Sequence, residues 1–331
     1  MASDNTFIRL LATGVPLVAD GAMGTTLFSL GLEGGGSPEL LNVEQPNLVE
    51  KVHRGFIEAG ADIILTNTFG GNRLRLALHN LQDRVTELNE AAVAVARHAV
   101  ELAGRPVAIA GSIGPTGELF EPLGTLSHER GVEVFAEQAQ ALADAGADVL
   151  WIETISSFEE LEAARVGAAS TGLPYTATLS FDTAGHTMMG IHPRAFGEWW
   201  LQHADVAAIG ANCGIGPGDA VAAAYGIAEV APEAVTITKA NCGIPLYQTE
   251  GLTYPVGPDR MNDYVELALR SGARIIGACC GSTPDHIAAI REAVDGFSGG
   301  GFPTFTEIQD RLEASSPLPA GGRRERRRDR P

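Results

Sequence analysis

Short apolar runs recur along the chain, each followed by a stretch whose apolar residues return every three to four positions. The runs are Pro16–Ala19, Ile63–Thr66, Val107–Ala110, Val149–Glu153, Tyr175–Ser180, Val206–Ala211, Val235–Thr238 and Arg274–Gly277. They are too short for helices and read as buried strands. The stretches between them include Leu48–Glu58, Arg84–Ala99, Glu133–Ala143, Phe158–Ala169, Asp219–Val230, Met261–Arg270 and Ile287–Val294, and read as amphipathic helices. Three joints share one wording: Glu58-Ala59-Gly60-Ala61-Asp62, Asp144-Ala145-Gly146-Ala147-Asp148 and Arg270-Ser271-Gly272-Ala273-Arg274. Glycine closing a helix, then a short step into a buried strand, is the expected cap chemistry. Eight alternating units predict α/β architecture with a parallel sheet closed into a (β/α)8 TIM barrel, whose strand C-termini share one mouth. The alternative is an open doubly wound sheet, but no Gly-x-Gly-x-x-Gly follows the first strand.

At 331 residues the barrel accounts for the chain as a single domain. Residues 1–296 are assigned to the barrel and 297–314 to a C-terminal helical extension, because Gly296–Gly301 breaks the pattern and Phe302–Glu313 resumes a helical one. Residues 315–331, rich in Pro, Gly and Arg, are assigned to a short disordered basic tail. The formal net charge is −18; Arg323–Pro331 holds six Arg against one Glu and one Asp, so the remainder carries −22. So acidic a body argues against nucleic-acid binding. No apolar run reaches membrane-spanning length and no leader-like N-terminus is visible, so the expectation is a soluble cytoplasmic protein without a membrane partner. Four cysteines are too few for a disulfide scaffold.

Three of those cysteines stand at strand ends. Cys279 and Cys280 are adjacent in Gly277-Ala278-Cys279-Cys280-Gly281, and Cys213 sits in a similar frame, Gly210-Ala211-Asn212-Cys213-Gly214. Neighbouring side chains of a regular strand point to opposite faces. Flanking glycines let the backbone turn, so both sulfurs can face one point. The reading is one Zn2+ held by Cys213, Cys279 and Cys280, with its fourth position open to a substrate. A vicinal redox pair is the alternative, and it leaves Cys213 unexplained.

Other strand ends carry Asp20-Gly21-Ala22-Met23-Gly24-Thr25, Thr66-Asn67-Thr68-Phe69, Ser112, Glu153-Thr154 and Asn212. The segments Asp20–Thr25, Gly210–Cys213 and Gly277–Gly281, in that order and spacing, resemble the homocysteine S-methyltransferases over roughly Val15 to Val294. That family includes betaine–homocysteine methyltransferase and the homocysteine-binding domain of cobalamin-dependent methionine synthase. The resemblance implies a zinc-bearing barrel, a methyltransferase that converts L-homocysteine to methionine. A free thiol ionises near pH 8.5, whereas a zinc-coordinated thiol is deprotonated at neutral pH. On this reading Asp20 and Glu153 take the substrate ammonium, and backbone N–H groups of Gly21, Ala22 and Met23 take its carboxylate. Thr66, Asn67 and Asn212 support the substrate site. Capping for Asp20 and ion pairing for Glu153 are the structural alternatives. Cys242 has no metal-ligand counterpart in the family and is taken as a bystander. A barrel lyase or aldolase is a weaker alternative, its Schiff-base candidate being Lys239 after strand seven.

The methyl donor stays open between a methylcobalamin-type corrinoid and a small onium compound such as betaine. Onium donors call for an aromatic enclosure. The betaine enzymes place aromatic residues where this chain has Gly36 or Ser37, Gly70 and Thr154, which speaks against betaine. Tyr247, Tyr254, Phe69 or Phe120 could build a different aromatic pocket. The alternative to a self-sufficient enzyme is a stand-alone zinc- and homocysteine-binding subunit that receives its methyl group from a partner corrinoid protein carrying cobalamin.

Overall fold

The computed structural model describes residues 5–32, 35–248 and 251–315, so the tail assigned over 315–331 lies, Ser315 apart, outside the described residues. The strands are β1 (Leu17–Val18), β2 (Ile63–Leu65), β3 (Ala108–Ile113), β4 (Val149–Ile155), β5 (Tyr175–Leu179), β6 (Ala208–Cys213), β7 (Thr236–Ala240), β8 (Leu246–Gln248), β9 (Gly251–Thr253) and β10 (Ala273–Ala278). Eight pair in parallel in the order β1-β10-β7-β6-β5-β4-β3-β2. A parallel bridge between Ala19 and Ile63 joins the two ends, so the sheet closes as the TIM barrel that the alternating pattern predicted. All eight predicted runs are strands. β8 and β9 form an antiparallel hairpin inserted between β7 and β10.

The Gly-Ala-Asp joints have a physical reason. Asp62 Oδ2 accepts the N–H of Val18 at 3.0 Å, and Asp148 Oδ2 accepts that of Ile109 at 2.8 Å. Each aspartate therefore enters its own strand while satisfying an N–H of the neighbouring one. In the third joint Arg274 does a different job, reaching the Leu11 carbonyl at 3.2 Å.

Two apolar layers result. Helices pack against the outer face of the barrel, while Leu17, Ala19, Ile63, Leu65, Ala108, Ala110, Val149, Trp151, Ala208, Ile237 and Ile275 fill its interior together with Phe7. Phe7 belongs to the helix Thr6–Ala12, too short for its period to stand out in the sequence, and is fully buried. Asn5 caps that helix, accepting from Ile8 N–H, and its amide donates to the Asp148 carbonyl at 2.7 Å. The helix thus closes the N-terminal end of the barrel and leaves the C-terminal end as the open one. Beyond the barrel a helix runs over Phe305–Leu312, and Ser315, placed in the tail by composition, donates its N–H to Asp219 at 3.1 Å.

His53, on the helix Pro46–Glu58, is fully buried, and neither ring nitrogen has a hydrogen-bond partner among the described residues. Burial pushes its pKa down to about 4. The folded state therefore refuses a proton that the unfolded chain accepts below its ordinary pKa of about 6.5. Stability is full above that value and falls as pH drops towards 4, by about 3 kcal/mol in all. Denaturant melts between pH 7 and 4.5 should show this slope, and His53→Leu should flatten it by roughly that amount.

Candidate metal and substrate site

β6 and β10 are separated by β7, yet their C-terminal ends converge over it. Cys213 ends β6 with φ of +56°, a left-handed conformation uncommon for a residue with a side chain. Gly214 continues the turn at +70°, and after the cysteine pair Gly281 turns at +84°. Gly281 also has the Tyr254 ring packed where a side chain would stand. These turns bring Cys213 Sγ to 3.1 Å from Cys279 Sγ and put all three sulfurs within 4.8 Å of one another. Four ligands around a tetrahedral zinc at 2.3 Å lie about 3.8 Å apart, so the triad suits a soft cation after shifts of well under a bond length. Among the described residues this is the one group of three metal-capable side chains. Hydrogen bonding among the three sulfurs pushes the Cys280 thiol down from its ordinary value. Cys213, as donor to the pair, is pushed far up.

Asn241, which the sequence reading passed over, ties the two cysteine loops together. Its Oδ1 accepts the Cys280 N–H at 3.0 Å and its Nδ2 donates to the Gly214 carbonyl at 2.7 Å. Cys242 next to it is buried outside the triad, and burial pushes its thiol up to about 12.

The sulfurs line a cavity of about 210 Å3 whose wall also includes Asp20, Gly21, Ala22, Met23, Thr66, Asn67, Ser112, Glu153 and Lys239. Glu153 accepts from Ser112 Oγ at 2.5 Å and, at 3.4 Å, from Asn212 Nδ2. Burial first, and then the nearby Cys279, push its carboxyl up to about 7. Asn212 stands behind this wall. Its Oδ1 accepts from Thr154 N–H (2.8 Å) and Thr178 Oγ (2.7 Å), and its Nδ2 donates to Thr154 Oγ (2.7 Å), which fixes Thr154 at φ of +63°. Thr66 is tied to Thr68 and the Ser112 N–H, and Asn67 to the Pro38 carbonyl and Asn42. The Ala22 N–H already donates to Ser282 Oγ at 3.0 Å.

Two further charged residues stand in this wall, Glu39, which was not anticipated, and Lys239, which was named only as a Schiff-base candidate. Glu39 is buried, its carboxylate accepting from Gly70 N–H and Ser37 Oγ, both at 2.7 Å. Its loop has no strand-end signal. Lys239 spans the interior to Asp20, donating to Oδ1 at 2.6 Å and to the carbonyl at 2.9 Å. Burial alone would lower the Lys239 pKa, but Asp20, Cys279 and Glu153 raise it. An ammonium held in this way is no nucleophile, which counts against the Schiff-base alternative. Of the four candidate aromatics, Phe69 lines the cavity, Phe120 faces a neighbouring one, Tyr254 covers Gly281, and the side chain of Tyr247 lies outside the described residues.

The family model for homocysteine S-methyltransferase matches residues 17–294. The chain belongs to that family. It is 31% identical over 296 residues to a methionine synthase of Mycobacterium tuberculosis, covering 84% of this chain and 24% of that protein. It is 30% identical over 318 residues to that of Mycobacterium leprae, covering 91% and 26%. It therefore spans about a quarter of the length of these curated relatives. Among solved structures, the metallated form of the homocysteine methyltransferase MmuM from Escherichia coli superposes with a TM-score of 0.73 at 27% identity, covering 87% of this chain and 99% of that one. By family, this barrel is a methyltransferase. No helix among the described residues is long and apolar enough to cross a membrane.

Asn241→Ala should free both cysteine loops and weaken zinc binding roughly 10- to 100-fold in chelator competition, as loss of a group that orients metal ligands does. Cys242→Ala should leave zinc affinity within about threefold.

Proposed function

We propose that this protein transfers a methyl group to the thiol of L-homocysteine, forming methionine, with one zinc ion held by Cys213, Cys279 and Cys280. The observation that carries the reading is the placement of three sulfurs within 4.8 Å in the same cavity wall as the carboxylates Asp20 and Glu153. When bound, zinc would keep the substrate thiol ionised at neutral pH and leave it nucleophilic. The protein then supplies position. Asp20 and Glu153 receive the ammonium, and the N–H groups of Gly21 and Met23 receive the carboxylate, that of Ala22 being engaged by Ser282. Thr66, Asn67 and Asn212 hold the strand ends in place and do not touch reacting atoms. The substrate sulfur donates its electron pair to the methyl carbon, and the donor leaves with the pair that bound it.

Two donors remain in view. Overlap with nearly the whole of MmuM favours a self-sufficient enzyme, whose donor would be a small onium compound bound in the same cavity. Likeness to a quarter of the methionine synthases favours a zinc- and homocysteine-binding unit that takes methyl from a corrinoid protein partner carrying cobalamin. Betaine fits poorly, because Gly36 or Ser37, Gly70 and Thr154 stand where its enclosure needs rings and Phe69 is the aromatic residue of the wall.

The test is methionine formation by zinc-loaded protein with homocysteine and, in turn, betaine, S-methylmethionine, dimethylsulfoniopropionate and methylcobalamin. Turnover with an onium donor supports the first reading, turnover with methylcobalamin alone the second. Cys213→Ala, Cys279→Ala and Cys280→Ala should each lose zinc and about 10³-fold or more in rate. A zinc-free single variant with full activity would overturn the proposal.

A further inference from the structure

The wall of the cavity presents the carboxylates Asp20, Glu39 and Glu153 and the three cysteines, against a single cation, Lys239. Lys239 and Asp20 are 2% and 1% exposed, and their contact is closer than the zinc triad's own spacing. Asp20 is held from two sides: Oδ1 by Lys239, Oδ2 by the Leu65 N–H at 2.8 Å. Each oxygen keeps a further lone pair. Lys239 also grips the Asp20 carbonyl at 2.9 Å, so it fixes the backbone from which the side chain projects. A buried carboxylate without such a partner takes up a proton instead of keeping its charge.

We propose that Lys239 is a positioning residue, which acts through Asp20 by keeping that carboxylate charged and oriented to receive the ammonium of the amino-acid substrate. This rests on the reading of Asp20 as an ammonium acceptor. It gives the lysine no part in forming or breaking bonds. It also separates two tasks in one cavity: the sulfurs recognise the thiol end of the substrate, and the Lys239–Asp20 pair recognises the amine end. Specificity for an α-amino thiol, as opposed to any small thiol, then comes from a residue that need not touch the substrate.

The experiment is calorimetric titration of zinc-loaded protein with L-homocysteine and with its deamino counterpart, 4-sulfanylbutanoate. Both carry the thiol and the carboxylate; one carries the amine. Lys239→Met should weaken homocysteine binding about 10- to 100-fold, the range expected for losing a charged hydrogen bond. It should leave 4-sulfanylbutanoate within about threefold and zinc content at wild-type level. Equal loss of both ligands would mean that Lys239 meets the carboxylate or merely supports the fold, and would overturn the proposal, as would unchanged homocysteine binding. If Lys239→Met does not fold, Asp20→Asn/Lys239→Met removes both charges together and avoids a lone buried one. That double variant should lower the preference for homocysteine about 10-fold or more, with Glu153 left to receive the ammonium; an undiminished preference would overturn the proposal. Wild-type protein that binds neither thiol would instead refute the proposed function, and this inference with it. Wild-type protein that binds both equally would refute the ammonium site alone.

Discussion

Three cysteine sulfurs stand within 4.8 Å of one another, and three thiolates so close would repel unless a cation balanced them. That constraint organises the mouth of the barrel. β6 and β10 lead there into left-handed turns, at Cys213 and Gly214 on one side and Gly281 on the other. Asn241, on the strand connection between them, braces both loops.

The same electrostatic problem recurs a few residues away. Asp20, Glu39 and Glu153 are all buried in one wall, and each is answered differently. Asp20 has a full counter-charge in Lys239. Glu39 has two neutral donors. Glu153 has a hydroxyl and a distant amide, and is the carboxyl pushed up to about 7. A cavity with this surplus of acceptors is prepared for a ligand that brings a positive group with it, which an amino acid does.

Around that site the scaffold separates rigidity from chemistry. The helix Thr6–Ala12 plugs the far end with Phe7, and aspartates at the helix–strand joints pin neighbouring strands. The mouth is then free to carry strained and charged residues whose cost the closed sheet absorbs.

Strand–helix alternation, the joint motif and the spacing of Cys213 from Cys279-Cys280 were legible in the sequence, because they follow from local periodicity and from side-chain chemistry. Those local rules determined the barrel and singled out the three sulfurs. They could not show that Lys239 crosses the interior to Asp20, that Glu39 faces the cavity from a loop without a strand-end signal, or that Asn241 braces the loops while Cys242 stands apart. The Thr6–Ala12 helix was missed because two turns carry too little period to register. These partnerships join residues tens to hundreds of positions apart, and pairing of that kind depends on how the sheet closes in space. Only the tertiary structure decides it.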